Sequence, residues 1–145
     1  MIGLIQRVAW AKIEVRGDAI AQIEKGILVM VGMEKQDQKS HADKLLHKLL
    51  NYRIFPDSAD KMNLSLLDIQ GGFLLVPQFT LAADTKKGLR PSFSSSKPPS
   101  EAEQLFAYLL SQAQNHYPYV GAGQFGADMK VSLLNDGPAT FSITI

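Results

Sequence analysis

Met129-Lys130-Val131-Ser132-Leu133-Leu134-Asn135-Asp136-Gly137-Pro138-Ala139-Thr140-Phe141-Ser142-Ile143-Thr144-Ile145 closes the chain and carries its clearest alternation. Met129, Val131 and Leu133 alternate with Lys130 and Ser132, and Phe141, Ile143 and Ile145 alternate with Thr140, Ser142 and Thr144. Period-two alternation marks half-buried strands. Between the two segments stand Asn135, Asp136, Gly137 and Pro138. Asn and Asp hydrogen-bond their own backbone, and Gly permits positive φ, so the four residues form a turn. Pro138 is unusual there. It removes a backbone donor, restricts Gly137 and allows a cis bond. Two readings stand: an ordinary hairpin turn, or a rigid backbone element that presents carbonyl groups to a ligand.

Working outward, Leu4 to Val15 reads as a long strand with Ile5, Ala9, Ala11, Ile13 and Val15 on one face. Arg7 falls on that same apolar face. Arg is rarely buried unpaired, so Arg7 either ends the sheet or has a partner. Arg16-Gly17-Asp18 is a turn, Ala19 to Ile23 a returning strand, and Glu24-Lys25-Gly26 another turn. Ile27 to Val31 and Phe73 to Val76 are unbroken apolar runs, as in strands buried on both faces. Ser40 with Asp43 resembles a capping box for a first helix carrying Ala42, Leu45, Leu46, Leu49 and Leu50. Asn51 to Phe55 reads as an edge strand stopping at Pro56, and Asp57 to Leu67 has no clear pattern. Ala82 to Pro99 is a long loop rich in Ser, Pro, Gly and Lys. Ser100 with Glu103 opens a second helix whose stripe is Ala102, Leu105, Phe106, Leu109, Leu110 and Ala113. Gly121 to Ala127 is a Gly-rich loop. About seven strands and two amphipathic helices predict an α+β fold, a mostly antiparallel sheet or partial β-barrel with the helices packed on it.

The chain has 145 residues, so residues 1–145 are expected to form one domain. Apolar residues make up 46% and net charge is +1, so nucleic-acid binding would need a local basic patch. The absence of Cys excludes disulfides and thiolate catalysis. No apolar run approaches membrane-spanning length and no signal-peptide pattern opens the chain, so a cytoplasmic protein without a membrane partner is expected.

His41, His47 and His116 sit on or at the ends of predicted helices and read as surface side chains. No nucleophile elbow, P-loop, H-E-x-x-H or metal-ligand spacing occurs, so no metal or cofactor is expected. Gln78-Phe79-Thr80 ends a buried strand, a rigid place to offer main-chain N–H groups and a hydroxyl. Lys86, Lys87 and Arg90 make the long loop the densest basic stretch, with Asp84 its only acid.

Four blocks together resemble the D-aminoacyl-tRNA deacylase family: Leu4-Ile5-Gln6-Arg7-Val8, Gln78 to Thr85, Gly88-Leu89-Arg90-Pro91-Ser92-Phe93, and Asn135-Asp136-Gly137-Pro138-Ala139-Thr140. Their order and spacing cover essentially the whole chain. The resemblance implies a homodimeric hydrolase that cleaves D-amino acids or glycine from the 3′ end of aminoacyl-tRNA and spares L-aminoacyl-tRNA. It implies catalytic roles for Gln78, Phe79 and Thr80, with main-chain donors at the developing oxyanion and the ribose 2′-hydroxyl helping to activate water. It implies a cis Gly137-Pro138 bond inserted across the dimer into the partner's site to read chirality, with Arg7 the residue expected to hold that turn. Family analogy puts the adenosine near Phe125 and Met129, and Lys86, Lys87 and Arg90 are expected on tRNA phosphates.

Pro77 departs from the bacterial pattern, which usually has Ser there. Pro offers neither hydroxyl nor N–H. A related animal deacylase acting on L-alanyl-tRNA also starts this motif with Pro, but has Ala in place of Phe79 and a trans Gly-Pro. Phe79 and the Asn135-Asp136-Gly137-Pro138 context favour the D-specific branch; the L-alanyl enzyme, or a non-catalytic acceptor-end binder, is the alternative.

Overall fold

Strand β1 (Ile2–Val15) has partners along both edges. On one edge it pairs antiparallel with β3 (Gly26–Gly32) over Ile2 to Val8 and with β2 (Asp18–Ile23) over Ala11 to Val15. On the other it pairs antiparallel with β8 (Met129–Thr144) along its whole length. Strand β6 (Gly72–Pro77) adds parallel to β3, and β7 (Val120–Ala122) parallel to β6. Contacts of β2 with β6 and β7 bring the sheet close to a barrel. The computed structural model describes residues 1–145.

Asn135 to Pro138 is not a hairpin turn. Met129 to Asn135 pairs with Val8 to Val15, and Thr140 to Thr144 pairs with Ile2 to Gln6, so the chain continues in one direction past the turn formers. A hairpin would have paired the two halves with each other. Strand β1, about 46 Å long at about 3.3 Å per residue, is long enough to pair with both halves in line. The turn residues are accommodated as a wide bulge: Gln6 faces Thr140 and Val8 faces Asn135, leaving residues 136–139 opposite Arg7 alone.

The apolar runs behave as their composition dictates. In β3, Ile27 and Val29 face one core cluster while Leu28 faces the other; in β6, Phe73 and Leu75 face the first, Leu74 and Val76 the second. The larger cluster lies between the sheet and helices α1 (Lys39–Asn51) and α3 (Pro99–His116), through Leu45, Leu49, Leu105 and Leu109. The smaller, with Val8, Ala11, Ile13 and Ile23, fills the inside of the curved sheet. Each such buried aliphatic side chain contributes about 1.5–3 kcal/mol.

The helix starts differ from the expected caps. Helix α1 begins at Lys39, and the Gln38 N–H donates to His41 Nδ1 at 3.0 Å. Ser40 lies inside the first turn, and Asp43 instead accepts from Tyr108 Oη of α3 at 2.9 Å. Helix α3 begins at Pro99, whose fixed φ and missing N–H suit a first helical position, so Ser100 is not its cap. A reciprocal Ser/Asp cap does occur, at Ser65 and Asp68 on the one-turn helix α2 (Leu66–Ile69). It straddles the end of the unpatterned stretch Asp57 to Leu67, which also holds β5 (Met62–Leu64). The expected edge strand from Asn51 shrinks to β4 (Phe55–Pro56), because α1 runs through Asn51.

Candidate active site

Strand β6 ends at Pro77, and Phe79–Ala82 winds into a 3₁₀ turn. Gln78 is tied to the sheet, its N–H donating to Val31 O at 2.8 Å, and its own carbonyl accepts from Leu81 N–H at 3.3 Å. The first N–H groups of a helical turn, here those of Phe79 and Thr80, have no acceptor inside it. Both residues are exposed, Phe79 by 57%. Gln78 Nε2 donates to Thr80 Oγ1. An amide is no base, so this contact orients the hydroxyl without activating it.

A cavity of about 450 Å³ opens beside this turn. Pro77, Phe79, Phe93, Lys97, Pro98 and Phe125 are among its lining residues. Met129 lies over Gly123, where a Cβ would sit 2.7 Å from Met129 Sδ and 3.3 Å from Cδ of Pro77, a residue of the cavity lining. The structure therefore brings Phe79 and Phe125 to one apolar hollow, whereas Met129 is not among its lining residues and packs against the smaller core cluster. A larger concavity, about 770 Å³, lies elsewhere, between β2 and the Tyr119–Ala122 segment, and includes none of the predicted site residues.

The basic loop closes one residue before Phe93, which lines the cavity. Asp84 and Ser92 exchange backbone hydrogen bonds of 2.8 and 3.0 Å, closing the intervening residues into a protruding loop. Lys86, Lys87 and Arg90 are exposed on it, and none of the protein's ion pairs uses them. Asp84 Oδ1 is occupied by the Lys86 N–H at 2.9 Å.

Gly137 and Pro138 are exposed on the β8 bulge, joined by a cis bond. Arg7 lies beneath them and is 8% exposed. Its Nε donates to Asp136 O at 3.0 Å and its Nη1 to Ile54 O at 2.7 Å, and the Asp136 carboxylate lies 3.4 Å from Nε. The misplaced charge of β1 thus has a partner, and that partner is the turn. Sequence reasoning missed the second clamp: Asn135 Nδ2 donates to Arg7 O and to Ala139 O, each at 3.0 Å, and so fastens both ends of the bulge. It also gave Phe93 no role, although Phe93 packs on Phe79 with ring centroids 5.1 Å apart.

Within one chain the bulge and the 3₁₀ turn stay apart. Strands β8, β1, β3 and β6 lie side by side, and Pro77 pairs with Val31, four residues along β3 from Arg7's partner Ile27. Three strand spacings and four residue rises separate Gly137 from Pro77 by roughly 20 Å.

The family model for D-Tyr-tRNA(Tyr) deacylase matches residues 4–144. The chain belongs to that family. It is 60% identical over 141 residues to a D-aminoacyl-tRNA deacylase of Stutzerimonas stutzeri, covering 97% of each chain. Its structure is similar to that of the c-Myc DNA Unwinding Element Binding Protein, with TM-score 0.96 and 34% identity over 100% of this chain and 99% of the other. A probable eukaryotic D-amino acid tRNA deacylase shares the fold, with TM-score 0.81 and 16% identity over 98% of each chain. The resemblance of the four sequence blocks and the observed α+β architecture therefore agree with the family. No helix is long and apolar enough to cross a membrane, and no three His, Cys, Asp or Glu side chains cluster as metal ligands.

Proposed function

We propose that this chain hydrolyses the ester joining a D-amino acid to the 3′-terminal adenosine of tRNA, that it also removes glycine mischarged on alanine tRNA, and that it rejects L-aminoacyl-tRNA. The observation that carries this is the exposed 3₁₀ turn beside an apolar cavity, with an exposed basic loop closing next to the cavity-lining Phe93. The adenine enters the cavity beside Phe125 and Met129, since unpaired bases favour aromatic and apolar surfaces. Acceptor-stem phosphates meet Lys86, Lys87 and Arg90. The ester carbonyl is then held over the Phe79 and Thr80 N–H groups, which stabilise negative charge as it develops. Water attacks the carbonyl carbon, the 2′-hydroxyl of the ribose assists in activating it, and the 3′-oxygen leaves with a proton. Gln78 orients the turn. No metal or cofactor takes part.

The chirality filter comes from a second copy of the chain. Gly137-Pro138 is exposed and roughly 20 Å from the 3₁₀ turn of its own chain by strand geometry, so it serves the site of a partner. Trp10 and Leu134 are register partners on β1 and β8, 39% and 54% exposed, and supply an apolar surface beside the bulge for an isologous homodimer. Backbone carbonyls of the bulge accept from the substrate ammonium and leave no space for an L side chain. The reaction belongs in the cytoplasm, where aminoacyl-tRNA is used.

The decisive comparison is a 2′-deoxy substrate against Thr80→Ala. The RNA-assisted reaction predicts slow cleavage of the deoxy substrate and substantial activity in the variant; the reverse result makes Thr80 the nucleophile. Assaying D-tyrosyl-, glycyl- and L-alanyl-tRNA in parallel tests the alternative raised by Pro77.

A further inference from the structure

We propose that Phe93, packed on Phe79 at the mouth of the cavity, is a second base-binding platform that receives the penultimate nucleotide of a single-stranded RNA 3′ end. The proposal rests on the reading of the cavity as the terminal adenosine site. Three observations support it.

The first is exposure. Phe93 is 44% exposed and Phe79 57%, the two rings lying 5.1 Å apart at 54°. Tilted packing of this kind leaves ring surface open to solvent. The main chain that carries Phe93 is held on both sides: Ser92 is bonded to Asp84, and Phe93 O accepts from Ser96 N–H at 3.1 Å. Two large apolar rings fixed in an exposed position fit a ligand with a flat apolar face.

The second is charge. The platform lies at the base of the loop that carries Lys86, Lys87 and Arg90, whose only acid is already bonded to Lys86 N–H. Sites for single-stranded nucleic acid combine a positive track for the backbone with aromatic faces for successive bases. The third is space. A cavity of about 450 Å³ holds the terminal nucleoside, and the chain must leave at the mouth, where Phe79 and Phe93 form part of the lining. The next base therefore meets these rings. Stacking tolerates any base, so the platform does not depend on base identity.

The test measures binding of three probes by titration calorimetry: 5′-adenylate, the dinucleotide CpA, and the same dinucleotide lacking its cytosine base. Stacking predicts that CpA binds about tenfold tighter than the abasic dinucleotide. In Phe93→Leu this ratio should fall below twofold, and in Phe93→Tyr it should persist. A full ratio in Phe93→Leu overturns the platform, as does an abasic dinucleotide that binds the unaltered protein as well as CpA. The second comparison needs no variant and is immune to folding defects. Failure of adenylate itself to bind removes the cavity assignment, and the platform with it. Absence of the ratio in the unaltered protein, while adenylate still binds, removes only the platform.

Discussion

Replacing Arg7 with Met keeps the aliphatic stem and deletes the guanidinium that grips the bulge. Two hydrogen bonds go, to Asp136 O at 3.0 Å and to Ile54 O at 2.7 Å. Ile54 is 3% exposed, so its carbonyl loses its donor where water has little access. Asp136 is exposed, so its carbonyl can turn to solvent, and the 3.4 Å ion pair with a half-exposed carboxylate adds little. Charged hydrogen bonds contribute about 1.5–3 kcal/mol each, and relief of the buried charge offsets part of the loss. The net effect is about 2–4 kcal/mol, or roughly 5–15 °C in Tm for a domain of this size. A domain this large has roughly 7–20 kcal/mol in hand, so the variant stays folded. The bulge, however, loses one of its two clamps and keeps only Asn135. Steady-state deacylation of D-tyrosyl- and L-tyrosyl-tRNA reads the consequence. The ratio of kcat/KM for D over L should fall at least about tenfold, equivalent to 1.4 kcal/mol of discrimination, below the Tm of the variant. A lowered Tm with an unchanged ratio would refute the argument, because Arg7 would then support the fold without positioning the bulge. An unchanged Tm would refute the hydrogen bonding itself.

Three further outcomes follow from the same geometry. Gly137→Ala puts a Cβ 2.8 Å from Arg7 Nη2 at φ +133°, so about 1–3 kcal/mol of local strain should appear as a lower Tm in calorimetry and a loss of D-aminoacyl-tRNA cleavage. Replacing Lys86, Lys87 and Arg90 together with Ala should weaken binding of all tRNAs alike; if all three meet phosphates, the slope of log K against log salt falls by about 2–3. Tyr117 donates to Gly71 O, and burial, reinforced by nearby Tyr119, pushes its pKa from 10.0 up to about 12. Its contribution is present below pH 10 and is lost as pH rises through about 12. Denaturant melts should show that alkaline loss in the unaltered protein and a flatter profile in Tyr117→Phe.

Local physics was legible where one segment decides its own structure. Alternation gave the strands, helical spacing gave the buried stripes of α1 and α3, and the unbroken runs at Ile27 and Phe73 gave strands covered on both faces. It failed where a distant segment decides. Asn-Asp-Gly-Pro has the same turn chemistry in a hairpin and in a bulge, and the length of β1 selects the bulge. Ser-x-x-Asp appears at Ser40 and at Ser65, and only Ser65 caps a helix, because α1 already starts at Lys39 and leaves Ser40 inside its first turn.

Arg7 was legible as a charge on an apolar face, but its second acceptor, Ile54, lies between α1 and β4, in a segment whose sequence pattern is that of a longer edge strand. The sequence blocks also change their meaning once folded. Pairing of β1 with β8 makes one unit of the first and last blocks, with Arg7 hydrogen-bonded to both Asn135 and Asp136. Packing of Phe93 on Phe79 makes a second unit of the two middle blocks, roughly 20 Å away by strand geometry. One unit offers carbonyls on an exposed bulge, the other offers a cavity, free N–H groups and basic charge. In the proposed function a chiral ester needs both at the same carbon, which one chain does not provide. Two copies related by a two-fold axis can satisfy that need twice over, because the same pairing that brings one bulge to the partner's cavity brings the partner's bulge back.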